Sequence, residues 1–158
     1  EGAAPAVRDV TPAGVLRVFR SKDNPDFLPD GARHYTNVRV GDDAILQADG
    51  ARLRLYGIAL PPRRKICRTA TGARWTCGQR ALMALRALVE GQLISCVLKD
   101  AAPVALAVCR VRNVDISGWM LREGWAELAS GTSEKAYVEA QSSAQSQKAG
   151  IWSLDPPH

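Results

Sequence analysis

Arg52-Leu-Arg-Leu-Tyr-Gly-Ile-Ala-Leu-Pro-Pro62 decides how this chain folds. Its first half alternates, with Leu53 and Leu55 on one face and Arg52 and Arg54 on the other, as a half-buried strand requires. Pro61-Pro62 ends the strand, because proline offers no N–H to a sheet ladder. The reading predicts a strand over 52–58. Immediately upstream, Asp49-Gly50 is a two-residue hairpin signal, so an antiparallel partner precedes it. That partner reads as one bent strand over 35–47, interrupted at Gly41-Asp42-Asp43.

Working outward, 14–20 alternates well enough for another strand, and 1–13 is rich in Ala, Pro and Gly. Past the proline pair the period changes. Ala81, Leu82, Leu85, Leu88 and Val89 fall on one face of a helix expected over 77–90, stopped by Gly91. Strands over 92–98 and 105–111 flank the turn Asp100-Ala-Ala-Pro-Val104. Asp115 is placed to cap a helix over 116–123, and Ser133 one over 134–149 with a thin apolar face of Tyr137, Ala140 and Ala144. Trp119, Trp125 and Trp152 read as packing residues. This order predicts an α+β fold, mainly β: an OB-fold-like five-stranded barrel with three helices. The expected organisation is an N-terminal arm over 1–34, a domain over 35–153 and a tail over 154–158.

No run approaches the roughly 18 apolar residues of a membrane span. The chain opens on Glu1 rather than methionine, the pattern of either a trimmed sequence or a processed export product, and any signal peptide would lie upstream. The net charge of +5 favours polyanions without requiring them. The cysteines Cys67, Cys77, Cys96 and Cys109 contain no C-x-x-C pair, which disfavours zinc. Disulfides and reduced buried thiols remain. Placing Cys96 opposite Cys109 also sets Ile94 opposite Val111 and Leu98 opposite Ala107, which makes one hairpin face wholly apolar. Opposed residues there lie about 4.5–5.5 Å apart, within disulfide reach. Cys67 and Cys77 would then close a short loop, and two such bridges imply a periplasmic or secreted protein.

In this order the landmarks resemble the staphylococcal-nuclease-like (thermonuclease) family, in its exported bacterial branch. The match rests on Arg52-Leu-Arg-Leu-Tyr-Gly-Ile58, Cys77-Gly-Gln-Arg-Ala81, Asp115-Ile-Ser-Gly-Trp-Met-Leu-Arg-Glu-Gly-Trp-Ala126 and Gly150-Ile-Trp152. The resemblance implies a Ca²⁺-dependent cleavage of nucleic-acid phosphodiesters by two metal-binding carboxylates, a carboxylate base and two arginines. Carried over position by position, Asp43 matches the first metal ligand and Arg54 the first arginine. Ala59 stands at the second metal-ligand position, Pro62 at the base and Val104 at the second arginine. Calcium takes about six to eight oxygens, so Asp43 alone is a weak site. The family's ion pair between its last two helices would become a hydrogen bond between Arg122 and Gln141.

These losses imply a non-catalytic binding module without cofactor or metal. Arg54, Tyr56, Arg63, Arg64 and Lys65 are the candidates to hold a single-stranded oligonucleotide or a protein, with Tyr56 reading equally as a half-buried tyrosine of the barrel. Arg68, Arg74 and Trp75 extend that basic segment, with Trp75 available for base stacking. Two alternatives stand beside this: a calcium-dependent nuclease with rearranged residues, and a structural component of the cell envelope that uses its N-terminal arm.

Overall fold

A computed structural model describes residues 31–153. The strand expected over 14–20 and the tail over 154–158 lie outside the described residues, as does most of the arm. Strands β1 (Ala32–Tyr35) and β2 (Arg39–Val40) are followed by the hairpin β3 (Leu46–Ala48) and β4 (Ala51–Leu55). Asp49 (φ 51°) and Gly50 (φ 81°) make the left-handed two-residue turn between the last pair. β5 (Ile58–Ala59), β6 (Cys67–Arg68) and β7 (Arg74–Trp75) lead to helix α1 (Cys77–Val89). Then come β8 (Ile94–Leu98), β9 (Ala105–Val111), β10 (Val114–Asp115), α2 (Ile116–Arg122), β11 (Glu127–Leu128), α3 (Lys135–Gln147) and a 3₁₀ turn at Gly150–Trp152.

The main sheet runs β1-β8-β9-β4-β3-β2, with β10 added to β9. β9 is parallel to β4 and antiparallel to β8. The two edges of this path, β1 and β2, are consecutive in the chain, with only residues 36–38 between them. The sheet therefore curls until its edges approach, and one bent strand serves both. Taking β1 and β2 as that strand, and β10 as a short extension, leaves the five strands of an OB-like α+β fold. Three helices accompany them.

Two local expectations need correction. The bend lies at Asn37 (φ 53°), and residues 41–44 reverse the chain, so that Arg39 pairs with Gln47 and Val40 with Leu46. The reversal is built by Ala44 N–H donating to Gly41 O (2.9 Å) and Gly41 N–H donating to Ile45 O (3.0 Å). The strand expected over 52–58 leaves the sheet at Leu55, and Ile58–Ala59 pairs instead with Glu127–Leu128. Gly57 causes the break: it sits at φ 86°, and a Cβ there would meet the Tyr137 ring at 2.8 Å.

The hairpin β8–β9 pairs Cys96 with Cys109, Ile94 with Val111 and Leu98 with Ala107, and the chain carries Cys96–Cys109 and Cys67–Cys77 disulfides. α1 buries Ala81, Leu82, Leu85 and Val89 against the barrel. Trp119 and Trp125 pack on the core. Trp75 does so too: it is 8% exposed and lies edge-on to Trp125 with centroids 6.4 Å apart, so it offers no face to a base. Gln141 Oε1 accepts from the Leu128 amide (2.8 Å), and among the described residues no hydrogen bond joins it to exposed Arg122. The strand β11, which puts that amide in reach, displaced the expected partner.

Asp115 holds the N-cap position expected of it and Ser133 does not, and neither helix start has a side-chain cap bond. α3 begins after Glu134, rather than Ser133, without a side-chain cap bond. Asp115 precedes α2, but its Oδ2 accepts from the Tyr137 hydroxyl (2.9 Å). Burial, and then the Asp115 carboxylate, push the Tyr137 hydroxyl far above its usual range. The folded chain keeps that proton where the unfolded chain, titrating near pH 10, releases it. This contribution is complete below about pH 10 and falls by about 1.4 kcal/mol per pH unit above it. Tyr137→Phe should flatten that alkaline loss and cost about 1–3 kcal/mol at neutral pH, because it removes the donor to a half-buried carboxylate. Denaturant melts of both proteins from pH 7 to 11 measure the two effects.

Candidate functional site: a cleft at the end of the central strand

Where β4 ends and β5 begins, the chain walls a cleft of about 290 Å³. Asp42, Asp43 and Ala44 enter it from the β2–β3 turn and Leu82 from α1. Arg54 and Leu55 come from β4, and residues 58–63 form the remaining side. The fold thus gathers Asp43, Arg54, Ala59, Pro62 and Arg63 around one space, although as many as 20 residues separate them in sequence. It does not bring Tyr56, Arg64, Lys65 or Val104 to that lining.

Tyr56 is turned to other partners. Its hydroxyl donates to Glu134 Oε2 (2.6 Å), and the Lys99 ammonium sits 4.9 Å from its ring centroid. The hydrogen bond holds the Glu134 carboxyl below its usual range and raises the Tyr56 hydroxyl above its own. Arg64 and Lys65 are exposed. The loop carrying them is fixed at both ends: the Cys67–Cys77 disulfide ties it to the first residue of α1, and Gly78 N–H donates to Lys65 O (3.2 Å). Val104 is the last loop residue before β9 in the β8–β9 hairpin, where Asp100 Oδ1 accepts from the amides of Ala102 (3.3 Å) and Leu106 (3.1 Å).

Asp42 is the residue whose part the sequence did not reveal. Its Oδ1 pairs with Arg86 Nη2 (3.0 Å) and its Oδ2 with Arg63 Nε (3.5 Å). Arg86 also donates from Nε to Val40 O (3.1 Å), while Glu90 accepts from Val40 N–H (2.9 Å). The Arg86–Glu90 spacing on one face of α1 was the available signal, but its target lies more than 40 positions upstream. Asp42 is 68% exposed, so these pairs position side chains more than they stabilise the fold. Asp43 Oδ1 accepts from the Ile45 amide (3.1 Å). Arg54 is exposed, and its side chain has no hydrogen bond or ion pair with the described residues.

The donor set does not fit a calcium ion. Asp42 is committed to two arginines, Asp43 has one oxygen on a backbone amide, and alanine and proline fill positions 59 and 62 of the same lining. Among the described residues no three His, Cys, Asp or Glu side chains gather where a metal could be held. Nor is any described helix long and apolar enough to cross a membrane.

A bent-strand barrel with this cleft at the break of its central strand defines a class of protein. The family model for staphylococcal nuclease homologues matches residues 52–154, well over half of the chain, and the chain belongs to that family. It is also similar to the succinoglycan biosynthesis protein ExoI of Rhizobium meliloti (strain 1021). The two are 26% identical over 128 residues, covering 75% of this chain and 67% of that protein.

Proposed function

We propose that this domain keeps the nuclease-like barrel, has lost phosphodiesterase activity, and serves as a non-catalytic binding module. One observation carries the reading: Ala59 and Pro62 line the cleft beside Asp43 and Arg54. Neither side chain can ligate a cation or accept a proton, and phosphodiester hydrolysis in this family depends on both events. What remains is a groove with apolar walls, one uncommitted guanidinium, and a basic loop held beside it by a disulfide. The two disulfides are compatible with an extracellular or periplasmic location, and an exported protein is the corresponding proposal.

The ligand's class is read from salt. An oligonucleotide held by Arg54, Arg63, Arg64 and Lys65 should lose affinity as salt rises, with each neutralised phosphate contributing a slope near −0.7 on logarithmic axes. Arg54→Ala should reduce that slope by about the same amount. Anisotropy of a labelled single strand at several salt concentrations measures it, and a flat response assigns the module to a protein partner. Chelator-sensitive turnover of the strand would sink the binding-module reading itself.

A further inference from the structure

We propose that the open end of the barrel is a second ligand site, separate from the cleft, for a small organic oxyanion with an apolar body. A cavity of about 420 Å³ lies where β4 and β9 begin and β8 ends, with β1 alongside. Barrel mouths are recurrent ligand positions, and this volume falls in the lower part of the range of about 300–1,000 Å³ seen for small-molecule pockets. Tyr35 and Leu53, both buried, meet Leu98 and Pro103 to make apolar walls. The hairpin tip supplies Ala101 and Ala102, whose small side chains leave the space open.

Charge selects the ligand. Arg33 on β1 and Arg52 on β4 border this cavity, both are exposed, and neither side chain has a hydrogen bond or ion pair with the described residues. The carboxylate at the cavity, Asp100, already accepts from two backbone amides at the hairpin tip. In the cleft, by contrast, Arg63 is paired with Asp42, and Arg54 shares the space with Asp43. The barrel end therefore holds two uncommitted guanidinium groups and one carboxylate, Asp100, over apolar walls, whereas the cleft holds one uncommitted guanidinium beside the two carboxylates Asp42 and Asp43. Like charges at one cavity repel, and an oxyanion between them turns that repulsion into attraction. The planar guanidinium fork suits carboxylate and phosphate oxygens alike, so either can be the head group.

The test is a titration of the full 158-residue chain followed by amide ¹H–¹⁵N spectra, with phthalate, phenyl phosphate and neutral benzamide as probes. Saturable shifts should be confined to residues such as Ala51, Leu98, Ala101 and Ala105, and should be absent from Asp43 and Ala59. Tighter phthalate binding assigns the natural ligand to carboxylates, and tighter phenyl phosphate binding to phosphate esters. Arg33→Gln and Arg52→Gln, both at exposed positions, should each weaken binding about tenfold, corresponding to roughly 1.4 kcal/mol. Arg52→Lys, which keeps the charge and loses the fork, should fall between. No saturable shift with either anion, equal shifts with benzamide, or dissociation constants unchanged in the arginine variants would overturn the site. None of these results touches the cleft, so this proposal and the loss of nuclease chemistry fail separately.

Discussion

Incubated with single-stranded DNA or RNA, the purified chain should release no nucleotides above background, with or without Ca²⁺. Removing a single donor from a transition state typically costs a factor of about 10²–10³. Here the positions matched to a metal ligand, a base and a guanidinium hold Ala59, Pro62 and Val104. The rate should therefore lie at least about 10³-fold below that of a competent family member. Calorimetric titration with CaCl₂ should likewise give no saturable heat. Ala59→Asp with Pro62→Glu adds two carboxylates to the cleft that Asp43 lines and should produce a measurable Ca²⁺ isotherm. Turnover by the unaltered chain that EDTA abolishes would reverse the assignment, since it would mean other oxygens complete the site.

The second large effect concerns how the cleft wall is attached. Gly78 is the second residue of α1, and a Cβ there would lie 2.0 Å from Pro62 O and 2.9 Å from Arg63 O. Backbone carbonyls cannot swing aside as a flexible side chain can. Gly78→Ala should therefore lift residues 62–65 off the helix, break the Gly78–Lys65 hydrogen bond, and cost about 3 kcal/mol, the upper end of ordinary overpacking. Gly118, in α2, is the matched control: its nearest neighbour to an added Cβ is Asp115 Oδ2 at 3.6 Å, an ordinary contact. Gly118→Ala should be neutral or stabilise by up to about 1 kcal/mol through helix propensity. Urea melts compare the two. Equal shifts would refute the claim that loop-to-helix contact, rather than the general loss of a glycine, sets the outcome.

The register of the β8–β9 hairpin was legible because it is a local parity problem: one slip would send every apolar side chain to solvent. The inward face of α1 was legible for the same kind of reason, since Ala81, Leu82, Leu85 and Val89 repeat at helical spacing. Positions 41–44 were not. Gly-Asp-Asp-Ala carries polar residues compatible with either a bulge or a reversal, and the reversal is selected by Val40 docking against Arg86 and Glu90 of a distant helix. Trp75 was taken for a surface aromatic because it lies among arginines, yet Trp125, 50 residues on, buries it. Tyr56 was legible as a half-buried barrel tyrosine, and it does pack partly buried on the core; what the sequence did not show is that its hydroxyl goes to Glu134 and its ring to Lys99 rather than to the cleft.

By itself, then, the sequence determined the order of strands and helices, the pairing of Cys96 with Cys109, and the absence of carboxylates at residues 59 and 62. Periodicity and side-chain chemistry are properties of neighbours along the chain, so they survive without coordinates. Tertiary structure alone decided which charges are spent and which are free: Asp42 on Arg63 and Arg86, Asp100 on its own hairpin, Arg33 and Arg52 on nothing among the described residues. Long polar side chains take whatever partner the closed barrel brings within about 3 Å, and that distance is set by folding rather than by sequence separation.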